Sequence, residues 1–248
     1  MTEITLNGTR IIIIQDISGS MSSMGDIPRE KVNDFIKEQN AENVLVDVWV
    51  FNDTYRLICN KKQPLDVNIT LEDVYPNGGT ALYEAIGNII NITGQELASN
   101  TDTRPEKVVV VIFTDGMENS SKGQYMGEKG RVIVKNMIEH QQNVYNWTFF
   151  FLGSNIDALQ TGSSIGITRD TCINYDSSQN GYDNVFRCTS DAVTRLRSLE
   201  PNTDKTTILK QVAFNIDERA SCQAVNNIGK SNESYNNSGL TRMASTWN

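Results

Sequence analysis

Short apolar runs alternate with segments of helical periodicity along most of the chain. Apolar residues three or four positions apart predict five helices, at residues 28–40, 81–97, 127–141, 156–162 and 182–199. The apolar runs predict six strands, at residues 10–15, 44–51, 56–60, 107–114, 147–152 and 171–175. Strands that alternate with helices are typical of a parallel sheet with crossover helices, so the pattern predicts an α/β fold.

Two of the predicted strands differ in pattern. The run KVVVVIFT at residues 107–114 is apolar at successive positions, as expected for a central strand covered on both faces. The run VLVDVWVF at residues 44–51 alternates, which indicates a strand nearer the sheet margin, with Asp47 at a solvated or polar edge. The segment TYRLICNKK follows after a short turn and predicts an antiparallel hairpin partner. We therefore expect a mostly parallel sheet with one antiparallel edge strand.

The pattern weakens from Glu200 onward. We expect one main domain at residues 1–199 and a polar C-terminal extension at residues 200–248, which contains one helix-compatible run, TILKQVAF. The last residues are rich in Asn, Ser and Thr, with Met243 and Trp247 as isolated apolar groups. Such a segment is either a loosely ordered tail or an arm that docks on a neighbouring molecule.

Charge and composition narrow the class of protein. The net charge is −8 over 248 residues, which opposes a surface that follows nucleic-acid phosphates. The apolar runs are too short to cross a bilayer, and the N-terminus lacks the pattern of a signal peptide, so we expect a cytoplasmic protein with no membrane partner. The four cysteines lie far apart without CxxC spacing, which argues against a zinc site and for free, mostly buried thiols.

Three polar clusters lie where strands are expected to end. They contribute Asp16, Ser18 and Ser20 after the first strand, Thr80 in NGGTALYEAI, and Asp115 after the central strand. Loops at the carboxyl ends of parallel strands form the ligand crevice, which is deepest where the strand order reverses, and we expect the first and third clusters to meet there. Because these side chains offer only oxygen atoms, they suit a hard divalent cation: Mg²⁺ foremost, with Mn²⁺ or Ca²⁺ as alternatives. For any single cluster, helix capping or a turn is the competing interpretation.

The stretches DISGSMSSM, NGGTALYEAI and VVVIFTDGMENSS resemble the three loops of the metal-ion-dependent adhesion site in von Willebrand factor type A domains. The likeness covers residues 10–199, and the three motifs occur in the order of the family. It implies a Rossmann-like, three-layer α/β/α fold. The sequence looks most like the stand-alone prokaryotic and phage versions of this domain.

The resemblance also implies roles for the five side chains. Ser18 and Ser20 would bind the metal directly, and Asp16 would act mainly through water. Thr80 and Asp115 would exchange direct and water-mediated roles as the site opens. Glu118, next to the third loop, would lie either near the metal without coordinating it or in solvent.

These features predict a metal-dependent protein-binding module and not an enzyme. Three hydroxyls and at most two carboxylates leave a divalent ion incompletely neutralised and with an open coordination position, which an Asp or Glu of a partner protein would fill. The resemblance suggests an AAA+ ATPase or a virion protein as that partner, in the host cytoplasm or in a virion if the protein is phage-encoded. The oligomeric state stays open.

Two other functions compete with this prediction. The first is a structural component of a phage virion or its assembly, in which the domain serves as a connector. The second is a metal-dependent hydrolase, with Asp16 as nucleophile or with metal-activated water. Against the hydrolase, Ser18 stands where haloacid-dehalogenase-like phosphatases require a second Asp, and the sole histidine, His140, is predicted at a solvated helix end.

Overall fold

The central element of the protein is a six-stranded sheet. A computed structural model describes residues 8–100 and 104–223. Its strands are β1 (Thr9–Asp16), β2 (Val44–Phe51), β3 (Tyr55–Lys62), β4 (Lys107–Thr114), β5 (Thr148–Ser154) and β6 (Cys172–Tyr175). They run in the order β3-β2-β1-β4-β5-β6, in which only β2 and β3 pair antiparallel. The predicted mostly parallel sheet with one antiparallel edge strand is confirmed.

Seven α-helices lie between or after these strands within the described residues. They are α1 (Ile27–Glu38), α2 (Leu82–Ser99), α3 (Gly127–Val144), α4 (Ala158–Ser164), α5 (Gln179–Arg197), α6 (Lys205–Val212) and α7 (Ile216–Ser221). The first five match the predicted helices to within a few residues, and α6 overlaps the run TILKQVAF. Of the helices in residues 8–100 and 104–223, none is both long enough and apolar enough to cross a membrane.

The helices cover both faces of the sheet. Alternate residues of β1 point to opposite sides, so that Ile11 and Ile13 pack with α1 and α5, whereas Ile12 and Ile14 pack with α2 and α3. All four isoleucines are at most 1% exposed. The result is the expected three-layer α/β/α arrangement, with one hydrophobic core on each face of the sheet. Loops that connect strands to helices lie at the carboxyl edge of the sheet. The four cysteines are buried and free.

The surroundings of Asp47 match the polar alternative of the prediction and not the solvated one. β2 does lie next to the edge strand β3, but Asp47 is only 1% exposed. Arg10 Nε donates to its Oδ2 at 2.6 Å, and Lys61 N donates to its Oδ1 at 2.7 Å. The polar position in β2 is therefore part of a buried ion pair, because the neighbouring strand β1 supplies the opposite charge.

The packed part of the chain continues beyond residue 199. Val212, Phe214 and Cys222 are buried in the core on the α5 side of the sheet. Phe214 N also donates to Asp170 O at 2.9 Å, which ties the segment between α6 and α7 to the body of the domain. The described residues after Glu200 therefore pack with the predicted main domain. The predicted arm around Met243 and Trp247 lies outside the described residues.

Candidate metal-binding site

Three loops meet at the carboxyl edge of the sheet, above the neighbouring strands β1 and β4. The chain leaves β1 toward β2 on one side and leaves β4 toward β5 on the other, so this is the point where the strand order reverses. Gly19 N in the first loop donates to Gly78 O in the second at 3.0 Å. Asn119 N in the third loop donates to Thr80 O in the second at 3.0 Å. Backbone hydrogen bonds thus hold all three predicted loops together.

Four of the five predicted site residues form one connected group. Ser18 N donates to Asp16 Oδ1 at 2.7 Å. The hydroxyls of Ser18 and Ser20 lie 3.1 Å apart, and Ser20 Oγ donates to Asp115 Oδ1 at 2.7 Å. Residues from the first and third loops, 95 positions apart for Ser20 and Asp115, therefore present their oxygen atoms at one place.

Thr80, the fifth predicted residue, lies against the same group. A Cβ atom added to Gly116 would come within 3.0 Å of Thr80 Oγ1 and 3.7 Å of Ser20 Oγ. Gly116 directly follows Asp115, and its missing side chain lets the second loop approach the third this closely. The structure therefore brings all five predicted residues together.

The site is buried at its base and open at one side. Asp16 has no exposed surface, and Ser18, Thr80 and Asp115 are 2%, 2% and 5% exposed. Ser20 is exposed and forms the rim. A cation bound here would reach the carboxylates from solvent through the Ser20 side.

Burial makes both carboxylates weaker acids. Desolvation, and to a smaller extent the nearby Asp115 charge, raise the pKa of Asp16 to about 6, against the opposing effect of hydrogen bonds from Thr114 and Ser18. Desolvation also raises the pKa of Asp115, partly offset by the Ser20 hydroxyl. Within the described part of the chain, no Lys, Arg or His contributes to the pKa shift of either group. Two acidic groups thus lie together without a cationic side chain between them.

Thr114 is a site residue that the sequence prediction missed. Its hydroxyl donates to Asp16 Oδ2 at 2.6 Å and accepts Gly116 N at 3.2 Å. It therefore orients the buried carboxylate and links it to the third loop. The available signal was the single polar residue that ends the otherwise apolar run of β4, which sequence reasoning assigned to the strand alone.

The donor set fits a hard divalent cation. Among the described residues, no group of three or more His, Cys, Asp or Glu comes together, so a metal here must take hydroxyl oxygens along with two carboxylates. Oxygen-only ligands of this kind suit Mg²⁺, Mn²⁺ or Ca²⁺. The assignment of Asp16, Ser18, Ser20, Thr80 and Asp115 as metal ligands stays a prediction, and their arrangement is compatible with it.

Comparison with known proteins finds likeness in structure and not in sequence. No family model matches the chain, and no curated protein matches it. Proximal thread matrix protein 1 from the mussel byssus, in a structure with a zinc-occupied MIDAS motif, aligns with a TM-score of 0.55 and 17% identity over 75% of this chain. The vWF domain of the type V pili tip protein Mfa5 from Porphyromonas gingivalis aligns with a TM-score of 0.55 and 10% identity over 73% of this chain. The ArnB paralog VWA2 from Sulfolobus acidocaldarius aligns with a TM-score of 0.52 and 11% identity over 76%.

These alignments define the fold. The chain has the fold of von Willebrand factor type A domains, in agreement with the resemblance of its three loop motifs. It spans 48% of the length of the byssus protein and 46% of VWA2, whereas it covers 95% of the Mfa5 domain. At 10–17% identity the likeness concerns architecture alone.

Proposed function

We propose that this chain is a metal-dependent, non-catalytic protein-binding module. In this proposal Asp16, Ser18, Ser20, Thr80 and Asp115 hold Mg²⁺, and the metal takes an Asp or Glu side chain of a partner protein as a further ligand. A partner such as an AAA+ ATPase or a virion protein, and a cytoplasmic location, stay predictions from the sequence.

One observation carries the proposal: two carboxylates lie at the base of a crevice without a compensating cation. Asp16 is fully buried, and its direct partners are the Ser18 N–H and the Thr114 hydroxyl. Asp115 is bonded by Ser20 Oγ. A buried carboxylate without an opposite charge is costly. A bound divalent cation would supply the missing charge at the point where three further hydroxyls are already assembled.

The chemistry of this donor set favours binding over catalysis. Magnesium prefers near-octahedral oxygen coordination at roughly 2.0–2.1 Å, so five protein oxygens, some acting through water, leave a position for an incoming carboxylate from a fixed direction. The sole histidine, His140, lies in α3, where it lines a cavity with Val108 near the start of β4, at the opposite edge of the sheet.

The structural neighbours support a protein-binding role in general terms. They include a thread matrix protein, whose structure has a zinc-occupied MIDAS motif, and a pili tip protein. For this chain they favour a divalent metal and a protein partner, without indicating which metal or which partner.

The metal half of the proposal is tested by isothermal titration of the full chain with Mg²⁺ and with Mn²⁺. We expect saturable binding by the wild type and none by Asp16→Asn, which keeps the size of the side chain. Asp191→Asn, which removes an exposed acid from α5, is the matched control and should bind like the wild type.

The partner half is tested with two pools of fluorescent peptides, one with a central Asp and one with Asn at that position. We expect the Asp pool to bind in Mg²⁺ and to be released by EDTA, while the Asn pool does not bind. Absence of metal binding by the folded wild type, or equal binding of both pools, would overturn the proposal. Hydrolysis of a phosphoester with loss of turnover in Asp16→Asn would instead favour the hydrolase.

The assembly role is the second candidate, supported by the matrix and pilus proteins among the neighbours. It uses the same fold as a connector, and it does not require that a partner carboxylate reach the metal. Sedimentation of the purified chain in Mg²⁺ and in EDTA separates the two. A large assembly that persists in EDTA and in Asp16→Asn would favour the connector over carboxylate capture.

A further inference from the structure

The segment at residues 118–121, which follows the third loop, makes side-chain contacts that the metal ligands themselves do not explain. Asn119 Oδ1 accepts Thr80 N at 2.9 Å, while Asn119 N donates to Thr80 O at 3.0 Å. The backbone of Thr80 is therefore bonded on both sides by one residue. Thr80 belongs to the second loop, and Asn119 belongs to the chain that continues from Asp115.

The same segment also caps the helix that follows Thr80. The N-cap residue of α2 is Ala81, which has no side-chain oxygen for the first free N–H groups of the helix. Instead Glu118 Oε2 accepts Tyr83 N at 2.9 Å, and Ser121 Oγ accepts Glu84 N at 3.0 Å. A distant loop thus accepts hydrogen bonds from the first turn of α2, which begins two residues after Thr80.

The carboxylate of Glu118 is itself held in place. Its Oε1 accepts Ser120 N at 3.0 Å and Ser121 N at 2.7 Å, and its Oε2 accepts the Ser121 hydroxyl at 2.7 Å. Glu118 is therefore neither a free solvent-facing acid nor a group aimed at the metal ligands. It is bonded to its own loop and to the first turn of α2.

Close backbone approach makes this contact specific to the second loop. A Cβ atom on Gly79 would lie 2.9 Å from Asn119 Oδ1 and 2.7 Å from Ser120 Oγ. Any larger residue before Thr80 would push the segment away. The two glycines at 79 and 116 therefore let the second and third loops touch on both sides of Thr80.

We infer that Asn119 is a positioning residue of the metal site, which sets the Thr80 hydroxyl opposite Asp115, with Glu118 supporting it through α2. This inference rests on the proposed metal binding. Residues 118–121 would hold the second and third loops together, so that Thr80 and Asp115 can bind the same metal ion. Residues that orient metal ligands typically alter metal affinity about 10- to 100-fold when they are removed.

The test compares Mn²⁺ affinity, measured by isothermal titration, in Asn119→Ala and Asn119→Asp. We expect Asn119→Ala to weaken binding about 10-fold or more, and Asn119→Asp to restore it because an acceptor oxygen returns at the same position. Asn119 is exposed, so its loss leaves no core cavity and the melting temperature in EDTA should stay unchanged. Asn136→Ala, which removes an exposed asparagine from α3, is the matched control.

A double-mutant cycle with Thr80→Ala shows whether Asn119 acts through the Thr80 hydroxyl. In the Thr80→Ala background, Asn119→Ala should cause no further loss of Mn²⁺ affinity. If Asn119→Ala binds like the wild type, if Asn119→Asp fails to restore binding, or if the two losses add in full, the inference is wrong. A folded wild type that binds no metal would overturn the proposed function as well, so the two failures are distinguishable.

Discussion

Asp16 and Asp47 are buried carboxylates on neighbouring strands of one sheet, and they are satisfied in different ways. Asp47, 1% exposed, is paired with Arg10 at 2.6 Å and accepts Lys61 N. Asp16, with no exposed surface, accepts from the Ser18 N–H and the Thr114 hydroxyl, and the charge that shifts its pKa is that of another acid, Asp115. The charge of Asp47 is balanced by a side chain of the same protein, whereas the charge of Asp16 is not.

This difference separates a structural group from a binding group. Burying an ion pair costs desolvation free energy, which the attraction between the two charges must offset. The pair needs no ion from solution and stays formed wherever both partners are charged. A carboxylate without a cation remains available to one from solution. We therefore expect the Asp47 region to control folding and the Asp16 region to respond to metal.

The largest change in stability is expected from breaking the ion pair between Arg10 and Asp47. Arg10→Met should lower the free energy of unfolding by about 3–5 kcal/mol, because it leaves Asp47 buried without a counter-charge. Urea denaturation in EDTA measures this loss. Arg10→Met with Asp47→Asn removes both charges and should recover most of the stability. A single variant as stable as the wild type would mean that water reaches Asp47 and that the region is not the structural partner in the comparison.

The stability of the metal-free protein should depend on pH through Asp16. Burial raises the pKa of Asp16 from an ordinary value of 3.8 to about 6, so the folded state binds this proton more tightly than the unfolded state does. Its contribution to stability is complete below pH 3.8 and is lost as the pH rises through about 6, by up to about 3 kcal/mol. Asp16→Asn removes this loss, which urea denaturation in EDTA between pH 4 and 7 can measure. Parallel curves for the two proteins would show that Asp16 is solvated.

Metal binding at the Asp16 site should restore the stability that the metal-free protein loses as the pH rises. At a free Mg²⁺ concentration of about 100 times the dissociation constant, linkage gives a stabilisation of about 2.7 kcal/mol. We expect this gain at pH 7 in the wild type and in the double variant that lacks Arg10 and Asp47, and no gain in Asp16→Asn. Thermal melts with and without EDTA check it. A gain that survives in Asp16→Asn would place the metal elsewhere.

The sheet and the site composition could be predicted from the sequence because both depend on local patterns. The successive apolar residues of β4 and the alternation of β2 reflect burial on two faces and a position near the margin, which are properties of each strand by itself. Asp16, Ser18 and Ser20 are close in sequence, so one loop brings them together in any fold of this class. Asp115 joins them because β1 and β4 are parallel and present their carboxyl ends at one edge. Thr80 follows no parallel strand, and it reaches that edge at the end of the long connection between β3 and α2.

Contacts between distant residues were not predictable in the same way. Arg10 and Asp47 lie 37 positions apart, and their pairing depends on the register of β1 against β2. Nothing in the local pattern of either strand indicates that register. The bond from Asn119 to Thr80 likewise spans 39 positions and depends on how two loops pack. For such residues the sequence shows a polar side chain but not its partner.

The smallest expected effect concerns Glu96, the outer member of the Arg10 group. Its carboxylate accepts from Arg10 Nη1 at 2.9 Å, from Arg10 Nη2 at 3.0 Å and from Lys61 Nζ at 2.8 Å. Burial raises the pKa of Glu96, but these hydrogen bonds outweigh it and lower the pKa to about 2. The contribution of Glu96 is therefore present above its ordinary pKa of 4.5 and is lost as the pH falls through about 2, opposite in sign to that of Asp16.

Glu96→Gln should accordingly destabilise the protein by about 1 kcal/mol or less at pH 7, because the Glu96 side chain is 28% exposed and solvent screens its charge. The difference from wild type should shrink in 1 M salt, where the Debye length falls to about 3 Å, and it should vanish below pH 2. Urea denaturation at low and high salt measures both trends. If Glu96→Gln costs as much as Arg10→Met, then Arg10 depends on Glu96 as much as on Asp47. Arg10, Asp47 and Glu96 would then act as one network of three charges that extends from the core to the protein surface.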